Sequence, residues 1–433
     1  MAEAARIARE CGIVGAGGAG FPTHVKLSAR ADTFAVNAAE CEPLLYKDQT
    51  ILEEALPDFI SGLMLCAEAV GATRTLVGIK DKHRDLMERL RDELPRGVDV
   101  CPLRDTYPSG DEHILVYDTT GRAVPKGGIP LDVGVVVSNV ETILNVGLRK
   151  PVTEKWLTVS GAVPEILNFK VPIGVSLMDV LRAAGAPTEG MGFIVNGPMM
   201  GYVTDDLLAP VTKTTSGILV LPAGHSLIQR KARATQAVHK IAYTCDQCMR
   251  CSDFCPRDLL GHYVKPHRAM ISIGFSAEQA TAWQETALYC CECALCTLYA
   301  CPEDLDPFRM MVESKRALMA GGIKPRKEEV EPLGMYDFRR TPTKMLVRRL
   351  DLERFMGPHR FAQKVDLRPR TLTIPTKQHA GVPAQPVVKA GSQVSAGALL
   401  ADIPEGALAS KIFSPMAGRV SIAAAGAIRV EVR

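Results

Sequence analysis

No run of 18 or more uncharged apolar residues occurs in the 433-residue chain, so no membrane-spanning helix is expected. The opening residues MAEAARIARE mix charges and hold no apolar stretch, so no secretory signal is expected either. Charge of one sign is also missing. The sequence sets 51 basic against 48 acidic side chains, a formal net charge of +3. Nucleic-acid binders carry a strongly basic domain or stripe, and no such partner is expected here. Between Cys101 and Cys245 there is no cysteine at all. What is present is an apolar fraction of 47%, ordinary for a globular protein, and length for roughly three domains at about 150 residues each. The 13 cysteines, in a chain read as cytoplasmic, are expected to be reduced. They then serve as metal ligands or reactive groups rather than disulfides.

Nine of the 13 cysteines fall between Cys245 and Cys301. The first run, Cys245, Cys248, Cys251 and Cys255-Pro256, reads C-x2-C-x2-C-x3-C-P. The second, Cys290, Cys293, Cys296 and Cys301-Pro302, reads C-x2-C-x2-C-x4-C-P, with one additional thiol at Cys291. Three thiolates at two-residue gaps can reach three corners of one cubane, and the fourth, followed by proline, ligates the other cluster in two-cluster ferredoxins. This predicts two [4Fe-4S] clusters with crossed fourth ligands: Cys245, Cys248 and Cys251 with Cys301, and Cys290, Cys293 and Cys296 with Cys255. Structural zinc also uses C-x2-C pairs, but its four ligands would leave the third thiol and the Cys-Pro of each run without a role. Cys290 keeps the regular gap to Cys293, so Cys291 reads as a spare neighbour. A helix-like stretch from Ala277 to Tyr289 separates the runs, which suggests a helical ferredoxin module. Cys11, Cys66 and Cys101 read as small core hydrophobes.

The segment Gly15-Ala16-Gly17-Gly18-Ala19-Gly20 satisfies G-x-G-x-x-G, and Glu40 follows twenty residues after Gly20. A dinucleotide-binding Rossmann site needs a strand running into the first glycine and a helix opening at the last. Here the approach from Ala2 to Glu10 has helical composition, and only Ile13 and Val14 offer a short strand. The better reading is a run of unobstructed backbone N–H groups suited to a phosphate. A plain flexible loop is the bland alternative.

GIVGAGGAGFPTHVKL (Gly12 to Leu27), NAAECEPLLYKD (Asn37 to Asp48), YPSGDE (Tyr107 to Glu112) and NVETILNV (Asn139 to Val146) follow one another in an order and spacing that resemble a known domain. It is the FMN-binding domain of the NADH-oxidising flavoprotein subunit of respiratory complex I. Two relatives resemble the chain more closely: the C subunit of the Rnf electron-transport complex and the cobalamin reductases of propanediol-utilization microcompartments. NGPMMG (Asn196 to Gly201) and PVTKTTSGILVL (Pro210 to Leu221) match these two as well, and the resemblance covers nearly the whole chain. It implies that Gly15, Gly17, Gly18 and Gly20 cradle the flavin phosphate or admit the nicotinamide, and that Lys26 supplies positive charge near the flavin. It implies that Asn37, Glu40, Glu42, Gly110 and Glu112 line the flavin and nucleotide cleft, with Cys41 between the two carboxylates. Asn139 and Thr142 are implied at a strand-to-helix turn that binds an anion, and Phe21 as a stacking ring. Taken alone, Glu40 or Glu42 reads more simply as a surface carboxylate and Phe21 as a core residue. The chain departs from the complex I subunits at Ala16, at Ala39 and over Val124–Pro130, where they carry Arg, Asp and a Pro-rich aromatic segment.

The fold class expected is an α/β and α+β multidomain chain in five parts. Residues 1–150 form the complex-I-type FMN/NADH-binding domain, and 151–235 a β-grasp unit that either binds a soluble ligand or acts as a spacer. Residues 236–325 form the helical ferredoxin with its two clusters, and 326–370 a solvated linker with some helix. Residues 371–433 form a lipoyl- or biotinyl-like barrel-sandwich hybrid, with Gly391 and Gly397 at hairpin turns. The barrel lacks a Met-Lys-Met hairpin, so it reads as non-carrier. Having the barrel last is the order of the microcompartment cobalamin reductases. The resemblance implies an NADH-dependent oxidoreductase with FMN and two [4Fe-4S] clusters, cobalamin as acceptor, and a cytoplasmic place within a bacterial microcompartment. An adenosyltransferase or shell proteins are the implied protein partners. No D-x-H-x-x-G pattern occurs, so the corrinoid is read as a transient substrate. An Rnf-type component acting with membrane partners and a non-catalytic cluster scaffold are the alternatives.

Overall fold

Alternation along one short strand organises the first domain. In β1 (Thr33–Ala38), Phe34, Val36 and Ala38 turn to one buried cluster, while Ala35 and the following Ala39 turn to another. Successive side chains of a strand point to opposite faces, so the sheet is covered on both. Helices Leu56–Val70 and Val140–Leu148 cover the first face, and helix Glu112–Thr120 the second. β1 lies between β2 (Arg74–Lys80) and β5 (Val135–Asn139), with β3 (Val98–Leu103) beyond β2, and every pairing is parallel. Strands such as Val135-Val136-Val137 read as continuous β-branched runs, as burial on both faces requires. The computed structural model describes residues 1–233, 244–272, 277–363, 365, 367–423 and 426–432. The boundary expected at 235/236 and the terminal Arg433 lie outside the described residues.

The glycine loop enters before this sheet, not from it. Helix Glu3–Glu10 leads into the loop, and Val14 bridges Pro22 antiparallel. The Gly15 N–H closes the turn on the Phe21 carbonyl at 2.9 Å. β1 follows the loop instead of feeding it, so the strand that a dinucleotide fingerprint requires is not in place.

A six-stranded sheet follows, built on the hairpin of β6 (Glu154–Gly161) and β7 (Ile166–Pro172). β10 (Gly217–Pro222) runs parallel to β6, with β8 (Met191–Val195) on its other side and β9 (Tyr202–Thr204) beyond β8. Helix Leu177–Ala183 packs into its core, its N-terminus capped by the Ser176 side chain. A hairpin, a helix and a parallel central strand make the β-grasp pattern. At the C-terminal end, β13 (Thr371–Pro375), β15 (Gln393–Val394), β18 (Gly418–Ala423) and β19 (Ala427–Val432) form one small sheet. β14 (Gln385–Pro386), β16 (Leu399–Asp402) and β17 (Ile412–Phe413) form the other. Gly391 and Gly397 have φ of +88° and +79°, the left-handed turns that glycine permits. Leu400, Val420 and Ile428 of this barrel share one buried cluster with Val159, Phe169 and Val171 of the β-grasp sheet.

The connector 326–370 is largely exposed, with packed segments inside it. β11 (Thr341–Pro342) pairs with β4 (Thr106–Tyr107), and β12 (His359–Phe361) extends the β-grasp sheet beside β7. Leu346, Val347, Leu350 and Leu352 are buried, and Arg340 pairs with Asp118 at 2.6 Å in a largely buried contact. Arg and Lys dominate the composition here, but their apolar neighbours recur at helical spacing over Thr343–Arg349. No helix among the described residues is long and apolar enough to cross a membrane.

Candidate functional site

The glycine loop holds an open backbone surface. Among the described residues, the N–H groups of Gly17, Gly18 and Ala19 have no hydrogen-bond partner. A Cβ at Gly18 would meet nothing within 4 Å, whereas one at Gly17 would strike the Asn139 side chain at 2.9 Å. Unpartnered N–H groups around open space fit a phosphate, so the loop suits the flavin phosphate that resemblance implies. The loop is anchored from behind. The Ala16 N–H donates to Thr142 Oγ1 at 2.9 Å, and the Gly20 carbonyl accepts from Ala380 of the barrel at 3.0 Å. Asn139 caps the helix Val140–Leu148, and its Nδ2 donates to Asp48 Oδ2 at 2.8 Å. Phe21 is 38% exposed, so it stands free to stack rather than filling a core.

Lys26 Nζ donates to Glu112 Oε1 at 3.0 Å and to the Val137 carbonyl at 2.8 Å. Asn37 Nδ2 donates to the Gly110 carbonyl at 2.8 Å, and the Gly110 N–H donates to Cys41 Sγ at 2.6 Å. These contacts bring Lys26, Asn37, Gly110 and Glu112 together at the carboxyl ends of β1 and β5, where ligands of parallel sheets bind. Glu40 turns inward and accepts from the backbone N–H of Asp48 at 3.1 Å and of Gln49 at 3.3 Å. Burial, and then the Asp48 charge, push its carboxyl up to about 7. Glu42 faces the β-grasp unit. Both of its oxygens accept from the β-grasp turn, from the Met199 and Met200 N–H groups at 2.8 Å, so the carboxylate is spent on the domain contact. A Cβ on Gly197 would strike it at 2.4 Å.

A buried ionic cluster supports the loop from below, and sequence reading missed its centre. Lys155 of β6 is 1% exposed, pairs with Glu141 and donates to the Ala16 carbonyl at 3.2 Å. Lys47 pairs with Asp48 and with Glu141, the latter at 3.3 Å. Burial draws the Lys155 ammonium down to about 8 against the pull of Glu141. The one sequence signal was a lysine next to Trp156 and Leu157 in the strand EKWLTVSG, since a charge buried there must be paired.

The nine clustered cysteines divide into two sets. Cys245, Cys248, Cys251 and Cys301 line one pocket, so the fourth thiol of the second run joins the first three of the first. Cys255 in turn lies beside Cys290 and Cys291, and Cys296 beside Cys290, Cys251 and Cys255, so the two sets adjoin. The sulfurs surround space instead of converging: among the described residues, no three His, Cys, Asp or Glu groups close up as around a single ion. The two runs also repeat one backbone form. Gln247 and Met249 have φ of +59° and +62°, and Glu292 and Ala294 +59° and +60°. The repeat aligns Cys290 with Cys245 and leaves Cys291 opposite Asp246. The Cys291 thiol pairs with that of Cys293. Burial pushes the Cys251 thiol up to about 12, and proton loss from such thiols accompanies metal binding. Of the isolated cysteines, Cys11 and Cys66 are buried and Cys101 is half-buried.

The flavin-type domain meets the second set through the loop Tyr107–His113, and Gly127 and Gly128 face Cys290 across a pocket. Tyr107 Oη donates to the Cys293 carbonyl at 2.9 Å. Asp111 accepts from Arg257, two residues beyond Cys255, at 2.8 Å, and Arg257 Nη1 donates to His113 Nδ1 at 2.6 Å. The first set lies away from this contact, and its Cys248 is exposed.

Fold and site together define a flavin-binding iron–sulfur protein. Residues 8–148 match the Nuo51 FMN-binding domain, 244–306 the 4Fe-4S dicluster domain and 362–428 the RnfC barrel sandwich hybrid domain. The chain is 40% identical to the Cobalamin reductase PduS of Citrobacter freundii, over 95% of its own length and 93% of that protein's. It is also 40% identical to the Cobalamin reductase PduS of Salmonella typhimurium, over 98% of this chain and 95% of that one. The C subunit of the proton-translocating ferredoxin:NAD(+) oxidoreductase complex of Clostridium ljungdahlii is 34% identical over 58% of this chain and 55% of its own. The chain belongs to the PduS cobalamin reductase family.

Proposed function

We propose that this protein is an NADH-dependent reductase that passes electrons by way of FMN and two [4Fe-4S] clusters to cobalamin, within a bacterial microcompartment. The observation that carries the reading is the union of three unpartnered N–H groups in the glycine loop with two thiol sets tied to the same domain, in a family named for cobalamin reduction. Bound FMN supplies the conversion between two-electron and one-electron chemistry. The chain's residues do the holding. Gly17, Gly18 and Ala19 bind the flavin phosphate, with Asn139 and Thr142 fixing the loop behind it. Lys26, Asn37, Gly110 and Glu112 frame the ring, and Phe21 stacks on the nucleotide. Glu40 stands at the floor of the cleft with a carboxyl poised near 7, and Glu42 locks the cleft to the β-grasp unit. Cys245, Cys248, Cys251 and Cys301 hold one cluster, and Cys255, Cys290, Cys293 and Cys296 the other.

The Rnf-type alternative rests on relatives that match 58% of the chain, against 95% for the reductases. The acceptor is a passing substrate, and an adenosyltransferase or shell protein is the partner that fits such a role. Anaerobic reconstitution with iron, sulfide and FMN, then NADH and cob(III)alamin, tests the reading. Bleaching of flavin and clusters followed by cob(II)alamin formation is expected. Bound flavin that NADH leaves oxidised would sink the NADH step.

A further inference from the structure

The loop Tyr107–His113 supplies Gly110 and Glu112 to the flavin cleft, yet its other side chains point elsewhere. Tyr107 is 3% exposed, and its hydroxyl donates to the Cys293 carbonyl at 2.9 Å, 186 positions along the chain, with the Glu42 carboxylate on its other side. Asp111 faces the same way and carries the guanidinium of Arg257 on both Nε and Nη2, at 3.3 and 2.8 Å. Cys293 and Cys255 belong to the same thiol set, so one loop grips that set at two points while its alternate residues meet the flavin cleft. Cys41 lies in the seam, accepting from the Gly110 N–H and packing against both the Tyr107 cluster and the flavin-domain core.

We propose that Tyr107 and Asp111 are positioning residues for the Cys255/Cys290/Cys293/Cys296 cluster, holding it in register with the flavin cleft and, through the Tyr107 hydroxyl, setting its reduction potential. The inference rests on the reading of these thiols as cluster ligands. Electron transfer falls steeply with distance, so a loop shared by both sites fixes the spacing that matters. A hydroxyl donating to a ligand's carbonyl withdraws electron density near the cluster and favours its reduced form, and hydrogen bonding around a cluster is one of the terms that set its potential. Nothing comparable links the flavin-type domain to Cys245, Cys248 or Cys251 among the described contacts.

Tyr107→Phe keeps the buried ring and removes only the hydroxyl. In the reconstituted full chain, EPR-monitored redox titration should show one cluster's midpoint moving to more negative values while the other's stays in place, with iron and FMN contents unchanged. Site-specific 3-fluorotyrosine, a stronger donor, should move the same midpoint the opposite way, and it decides the matter if Tyr107→Phe loses iron. Asp111→Asn should slow NADH-driven bleaching of that cluster without slowing flavin reduction. Two midpoints indifferent to both tyrosine changes, or shifted equally, would overturn the proposal. Failure of the wild type to reduce cob(III)alamin would count against cobalamin as acceptor and leave these potentials readable.

Discussion

The two thiol sets share a spacing and a repeated left-handed turn, yet they sit in different surroundings. The set of Cys255, Cys290, Cys293 and Cys296 has three buried members and is gripped by the flavin-type domain through Tyr107 and Asp111. The set of Cys245, Cys248, Cys251 and Cys301 opens to solvent at Cys248. One local motif thus sits in two settings, and the difference comes from what packs against it. A cluster's potential and its vulnerability both follow exposure and hydrogen bonding around its sulfurs, so the pair should be separable by experiment.

The largest effect should come from cutting the crossed ligands. Cys301→Ser should cost about half the iron, one of two clusters, and leave the buried cluster. Cys255→Ser should cost the same share, leave the exposed one and abolish NADH-driven reduction of the acceptor. Iron analysis with EPR checks both, and survival of the opposite cluster in each variant would show that ligation is not crossed. A smaller effect is expected in the wild type under a ferric or ferrous chelator. Iron should leave in two phases, with the EPR signal that persists in Cys255→Ser disappearing first; a single phase would erase the contrast in exposure. Cys291→Ser should change least. The residue stands opposite Asp246 in the repeated turn, so both clusters should assemble, with at most a modest shift in the buried one, whose Cys293 thiol it touches. Loss of a whole cluster would make Cys291 a ligand.

Cysteine spacing was legible because it encodes a local device: a chain that must present three sulfurs to one body turns at fixed intervals. The glycine loop was legible for a similar reason, since bare N–H groups need residues without side chains. The β-grasp and barrel units showed through short strands and glycine turns. Three contacts were not legible. Glu42 is spent on the Met199–Met200 amides, and nothing in ECEP distinguishes it from Glu40. Lys155 reaches the glycine loop from the neighbouring β-grasp sheet, a contact 139 positions long. The connector 326–370 is largely exposed, as its Arg and Lys suggest, yet its Leu346, Val347, Leu350 and Leu352 fill a core shared with Cys293 and Leu295.

By itself the sequence determined the spacing of the cysteine runs, the bare glycine loop and the glycine turns of the barrel, because each is written in residues close along the chain. Tertiary structure alone decided which thiol set faces the flavin-type domain, which carboxylate enters the cleft and which lysine lies beneath the loop. The barrel, too, was placed only there, with Ala380 set on the Gly20 carbonyl. Those choices depend on side chains a hundred or more positions apart meeting at one seam, where burial forces each polar group to find its partner.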